Sequence, residues 1–185
     1  MSSNKSMRMR LDWAAPILPG HSIAGIPFGM PLEQLLSALK ANSTDGGGPQ
    51  VLRFANSPLL RFEQEGESLR LRAIEIPKNY DWQDVVMRLG FKDGMLSFAR
   101  VDRVHWDGYS YNGKLFDDIG LGGQVRNLCR HLEPCLYDDA EEWFYFGRSS
   151  DGVRVAGSAC SLEQDPEQII GTICVASRWL SWPQA

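Results

Sequence analysis

The sequence predicts an α+β fold of two pseudo-repeats, with helices packed on one face of a curved antiparallel sheet. Three observations carry that expectation. The stretch Ser22 to Leu39, SIAGIPFGMPLEQLLSAL, reads as a short extended piece, a glycine turn and a helix. Leu32, Leu35, Leu36 and Leu39 make one apolar stripe at helical spacing. The design then returns: Ile119, Gly122, Val125, Leu128, Cys129 and Leu132 keep the offsets of Ile26, Gly29, Leu32, Leu35, Leu36 and Leu39, shifted by a constant 93 residues. Each copy is followed by short alternating segments separated by turn residues, which can bury one face under a helix.

In order, residues 1–12 read as a mobile N-terminal arm carrying Lys5, Arg8 and Arg10. Residues 13–185 form one domain, with pseudo-repeats at about 13–92 and 93–185. Pro31 suits the first turn of the first helix, where no intrahelical donor is lost. Asn42 to Pro49, NSTDGGGP, is a glycine loop. Val51 to Phe54, Leu59 to Glu63 and Leu69 to Ile76 are strand-like, and the Leu/Arg alternation of the last gives it a wet face. Asn79 to Leu89 fits either a short helix capped by Asp81 or the start of a strand through Val85 to Phe91. Asp93-Gly94 is a strong hairpin pair, and Met95 to Trp106 alternates as a strand.

The second copy starts near Lys114. Its helix is expected to run from the turn Gly120-Leu121-Gly122-Gly123 to Glu133-Pro134. Cys135 to Tyr137, Trp143 to Phe146, Val153 to Ala156 and Ile169 to Ala176 are the strands that follow. The last of them is expected as a buried, β-branched strand.

Composition narrows the function. The 185 residues are 43% hydrophobic and 23% charged, ordinary values for a globular domain. No apolar run reaches the roughly 20 residues of a membrane helix, and the basic N-terminus is not followed by the apolar core of a secretory signal. A cytoplasmic protein is expected, and the absence of any CxxC pair among Cys129, Cys135, Cys160 and Cys174 agrees with reduced thiols. Net charge is −4, and the excess sits in residues 133–167, with nine acidic residues against two arginines. Such a surface is a poor match for nucleic acid and a natural complement to a basic protein.

Candidate chemistry is thin. The glycine turn at Gly120 to Gly123 lacks the lysine of a P-loop and the spacing of a dinucleotide fingerprint. His131 and Cys135 stand four apart, but Pro134 interrupts any helix between them. Gly157-Ser158-Ala159-Cys160 is not a nucleophile elbow. No cofactor, metal site or catalytic residue is expected, and the chain is read as a non-enzyme. Aromatic residues next to acids are more informative. Trp106, Tyr109 and Tyr111 lie beside Asp102 and Asp107, and Trp143 follows Asp138, Asp139, Glu141 and Glu142. Rings beside acids suit an interface for a basic protein, so these ten residues are the expected partner-binding set.

The stretches SIAGIPFGMPLEQLLSAL, FKDGMLSFARV and YNGKLFDDIGLGGQVRNLCRHLEP, the last followed by YDDAEEWFYF, resemble a family of small bacterial proteins. Its members serve as immunity proteins of polymorphic-toxin or type VI secretion systems. Gly29, Gly94, Gly113, Lys114, Ile119 and Gly122 stand on motif positions. The half-repeat is also similar to small helix-on-sheet binding domains such as β-lactamase inhibitory proteins, an analogy of fold alone. The resemblance implies a cytoplasmic toxin inhibitor that occludes the active site of a cognate toxin or effector and needs no catalytic groups. The alternative is an adaptor or chaperone for a secreted effector.

Overall fold

The structure is a computed structural model that describes residues 10–42, 50–76, 84–106, 108–132, 135–146 and 152–177. Several expected features lie outside the described residues: most of the glycine loop at 42–49, Asp81, Asp107, Glu133-Pro134 and the tail with Trp179 and Trp182.

The chain opens with a minimal hairpin, β1 (Ser22–Ile23) and β2 (Ile26–Pro27). Its turn residues, Ala24 and Gly25, both have positive φ, the geometry that matches strand twist in a two-residue turn. Helix α1 (Leu32–Ala41) buries Leu35 and Leu39. Five strands follow: β3 (Val51–Leu52), β4 (Leu60–Glu65), β5 (Ser68–Ala73), β6 (Val85–Lys92) and β7 (Met95–Asp102). The second half supplies α2 (Val125–Leu128), β8 (Cys135–Asp138), β9 (Trp143–Phe146), β10 (Val153–Ala156) and β11 (Thr172–Ala176). Of the two readings of residues 79–89, the strand prevails from Val85 onward. Asp93 and Gly94, at φ +53 and +74, close the β6–β7 hairpin.

Among the described residues, nine strands form one antiparallel sheet in the order β3-β4-β5-β6-β7-β11-β10-β9-β8. Every neighbour within a half is joined through consecutive chain. The halves meet at the centre, where β7 pairs with β11 from Asp102 opposite Thr172 to Phe98 opposite Ala176.

This architecture corrects the expected α+β class. The protein is mostly β, with 42% strand and 10% helix, and is not a pair of helix-over-sheet repeats. Among the described residues, only α1 is a helix of several turns. The second copy forms a helix of four residues, followed by turns such as Arg130 N–H to Asn127 O and His131 N–H to Leu128 O. The stripe is present in both copies, but the residues between differ. Glu33, Gln34, Ala38 and Lys40 favour helix in the first, whereas Asn127 and Cys129 favour it less in the second. A short segment does not repay helix nucleation on pattern alone.

The two glycine turns nevertheless make the same backbone hydrogen bonds. Gly29 N–H donates to Leu96 O and Gly122 N–H to Ile170 O, both at 2.8 Å. Leu32 N–H reaches Gly94 O, and Val125 N–H reaches Gln168 O. Both glycines lie near φ +80.

The core lies on one side of the sheet. Trp13, Ile17, Ile23, Ile26 and the α1 leucines pack in one cluster with Phe62, Leu71, Leu89, Val101, Phe144, Val155 and Ile173. Leu11, expected in the mobile arm, is buried in that cluster, and Asp12 bridges to Ala55. The alternate residues of the strands point the other way and are mostly polar or small, with Phe98, Leu136, Trp143 and Tyr145 as the large exceptions. Gly90 is one of the small ones: a Cβ there would lie 1.9 Å from the ring of Phe98, its cross-strand partner, so the ring lies across the glycine.

Candidate partner-binding face

Alternation along the strands places Arg70, Arg72, Arg88, Arg100, Asp102, Arg154, Trp143 and Tyr145 on the face opposite the core, each half-buried. The chemistry on this face is built around Trp143. The guanidinium carbon of Arg154 sits 4.6 Å from the centroid of its ring, and that of Arg100 sits 5.6 Å away. Both distances are within cation–π range. Arg100 is held in turn by Asp102, with Nε–H donating to Oδ1 at 2.8 Å, and Thr172 Oγ1 donates to the same oxygen at 2.8 Å. Arg154 pairs with Glu141 at 3.6 Å, and the Tyr145 hydroxyl also donates to Glu141. Burial, then the bond to Glu141, raises the Tyr145 pKa. The Trp143 ring therefore lies against two positioned cations, and buried Cys174 on β11 is the cross-strand neighbour of both arginines.

Beyond Trp143 the β8–β9 turn carries the acids. The Asp138 carboxylate accepts from the backbone N–H groups of Ala140 at 2.8 Å and Glu141 at 3.1 Å, so it shapes the turn. Glu142 closes it at φ +60. Asp139 and Glu142 are exposed. Leu136, on the edge strand, is 61% exposed and extends the face past Tyr145, its cross-strand partner.

The ten expected residues therefore divide. Asp102, Asp138, Asp139, Glu141, Glu142 and Trp143 gather at one end of the outer face. Asp102, Asp138 and Glu141 are already bonded within the chain, which leaves Asp139 and Glu142 as the acids without such a role. Tyr109 and Tyr111 lie elsewhere, in the core. Tyr111 is 2% exposed, donates to Ala15 O at 2.5 Å, accepts from Ala24 N–H at 2.9 Å and packs edge-on against Trp13. Burial raises its pKa strongly. The Tyr109 hydroxyl accepts from Glu75 N–H, and Trp106 packs partly buried against the same core. Asp107 lies outside the described residues. The segments 103–106 and 108–113 thus dock the connection between halves onto the core.

Sequence reasoning missed Arg88, Arg100 and Arg154. Their signal is a polar residue at every second position of a strand, legible for Arg70 and Arg72 in LRLR. The grouping depends on β7 meeting β11, which no local pattern announces.

Other candidates are accounted for by local structure. The N–H groups of Gly122 and Gly123 are bonded to Ile170 O and Gly120 O, which removes them from any phosphate cradle. His131 stacks flat on exposed Phe116, with centroids 5.4 Å apart, and stands 3.9 Å from Asp118 on the surface. Among the described residues no group of three or more His, Cys, Asp or Glu could hold a metal ion, and no helix is long and apolar enough to cross a membrane. The four cysteines are free thiols, and burial followed by a hydrogen bond with Cys129 raises the pKa of Cys135. Comparison with known proteins finds no matching family model, no similar curated protein and no similar solved structure.

Proposed function

We propose that this chain is a stoichiometric binding protein of the immunity type, which captures a cognate toxin in the cytoplasm and occludes its active site. The observation that carries the reading is Trp143, held on the outer sheet face by Arg100 and Arg154 and bordered by the exposed acids of the β8–β9 turn. A rigid aromatic anchor with a charged rim is the arrangement that concentrates binding energy at protein interfaces. The resemblance of the glycine-turn motifs to immunity proteins supports the same reading. A binder of this kind works by shape and charge and requires no reacting group.

The test is co-expression with the product of the neighbouring gene. The expected result is that the product alone arrests growth, that this chain restores growth, and that the two purify as one complex. A product that is harmless, or that does not bind, sinks the proposal. Binding without protection makes the chain an adaptor instead.

A further inference from the structure

Strand register brings four arginines into one line across the outer face. Arg70 on β5 stands opposite Arg88 on β6, and Arg88 opposite Arg100 on β7. Arg100 stands opposite Cys174 on β11, which stands opposite Arg154 on β10. Like charges directly opposed on neighbouring strands destabilise a sheet, and three adjacent strands carry them here. The other members of the line have carboxylates: Arg70 pairs with Glu65, Arg100 with Asp102, and Arg154 with Glu141.

Arg88 differs. It forms no ion pair among the described residues, and its Nε is buried without a hydrogen-bond partner. Burial disfavours its charge, and Arg100, Arg70 and Arg72 disfavour it further, against a favourable contribution from Asp102. A guanidinium does not escape this by losing its proton. What relieves it is an oxyanion supplied from outside, and a carboxylate matches the planar donor fork. The surroundings select the source. Phe98, cross-strand from Gly90, and Trp143 give the face apolar rings suited to a protein surface rather than to a free ion.

We propose that Arg88, set between Arg70 and Arg100, is the anion-receiving centre of the docking face, and that its occupant is a carboxylate from an acidic segment of the protein partner. This deepens the binding reading above and rests on it. The rim acids Asp139 and Glu142 then meet basic groups of the partner, while the centre meets an acid, so the face is a charge mosaic rather than a uniformly acidic wall.

The test needs no partner. Triglutamate and inorganic phosphate are titrated separately, at constant ionic strength, into the 15N-labelled full chain. The arginine Nε–H and Trp143 indole N–H resonances are followed in the wild type, Arg88→Met and Arg88→Lys. Triglutamate is expected to shift Arg88 and Trp143 together and saturably. The Trp143 shift should vanish in Arg88→Met and require about tenfold more ligand in Arg88→Lys, which lacks Nε. If Arg88→Met does not fold, the lysine variant decides. A phosphate response without a triglutamate response makes the site one for free oxyanions and overturns the acidic-partner assignment. No response to either ligand, or equal Trp143 shifts in the wild type and the variants, overturns the site. The growth-rescue assay fails or succeeds independently of these titrations.

Discussion

At the scale of single residues, the outer face depends on Trp143 and the inner face on polar atoms that find partners within the chain. Trp143→Ala removes both cation–π contacts and frees Arg100 and Arg154 from their shared ring. It is expected to lower unfolding free energy by about 1–2 kcal/mol, measured by urea denaturation, and to weaken capture of the partner by far more than that stability change explains. Unchanged capture would remove Trp143 from the interface. Asp12 supplies a separate, titratable contribution. The backbone N–H of Ala14, then the side-chain amide of Asn56, hold its carboxyl below the ordinary value of 3.8. A depressed folded pKa gives stability that is present above the unfolded value and lost as pH falls through the folded one. The urea midpoint should therefore fall on acidification below about pH 4 with a shallower slope in Asp12→Asn. Equal slopes would show that the carboxylate is not held in solution.

At the scale of elements, turns decide more than helices do. Gly25 sits at φ +75, and a Cβ there would lie 2.5 Å from the backbone oxygen of Arg10. Backbone cannot swing aside as a side-chain end can, so Gly25→Ala meets steric and conformational strain together. The expected loss is about 1–3 kcal/mol, read as a fall in Tm. A wild-type Tm would show that residues 10–12 do not pack on the hairpin. The β8–β9 turn divides the acids by role. Reversing Asp139 and Glu142 to lysine should leave stability near wild type, because both are exposed, and should slow association with the partner. Replacing Asp138 by alanine should instead cost about 1 kcal/mol by releasing the two backbone N–H groups it holds. An unchanged on-rate in the Asp139/Glu142 double variant would exclude the turn from the encounter surface.

At the scale of the whole molecule, the β7–β11 seam makes the two halves one structure. Five residue pairs join them, and a single buried cluster spans both, from Leu35 and Phe62 to Phe144 and Ile173. One cooperative unfolding transition is expected. Hydrogen exchange should be slowest in β6, β7 and β11 and fastest in the edge strands β3 and β8. Two separate transitions, or a seam that exchanges before the outer strands, would contradict a shared core. The same seam creates the outer face, because Arg88 and Arg100 come from one half while Arg154 and Trp143 come from the other.

The sequence by itself determined whatever is local. Asp93-Gly94 marked its hairpin because both residues tolerate positive φ, and the alternation of Leu69 to Arg72 marked a strand with one wet face. The offset between Gly29 and Gly122 marked two turns that make matching hydrogen bonds. Tertiary structure decided how the pieces join and which faces are used. The second apolar stripe became one helical turn, since periodicity states a preference and packing sets the outcome. Tyr109 and Tyr111 looked like surface rings, but adjacency in sequence says nothing about burial, and their hydroxyls are bonded in the interior. The line of arginines exists only because β11 returns to lie beside β7, a contact between residues some 70 positions apart, and no short-range pattern encodes it.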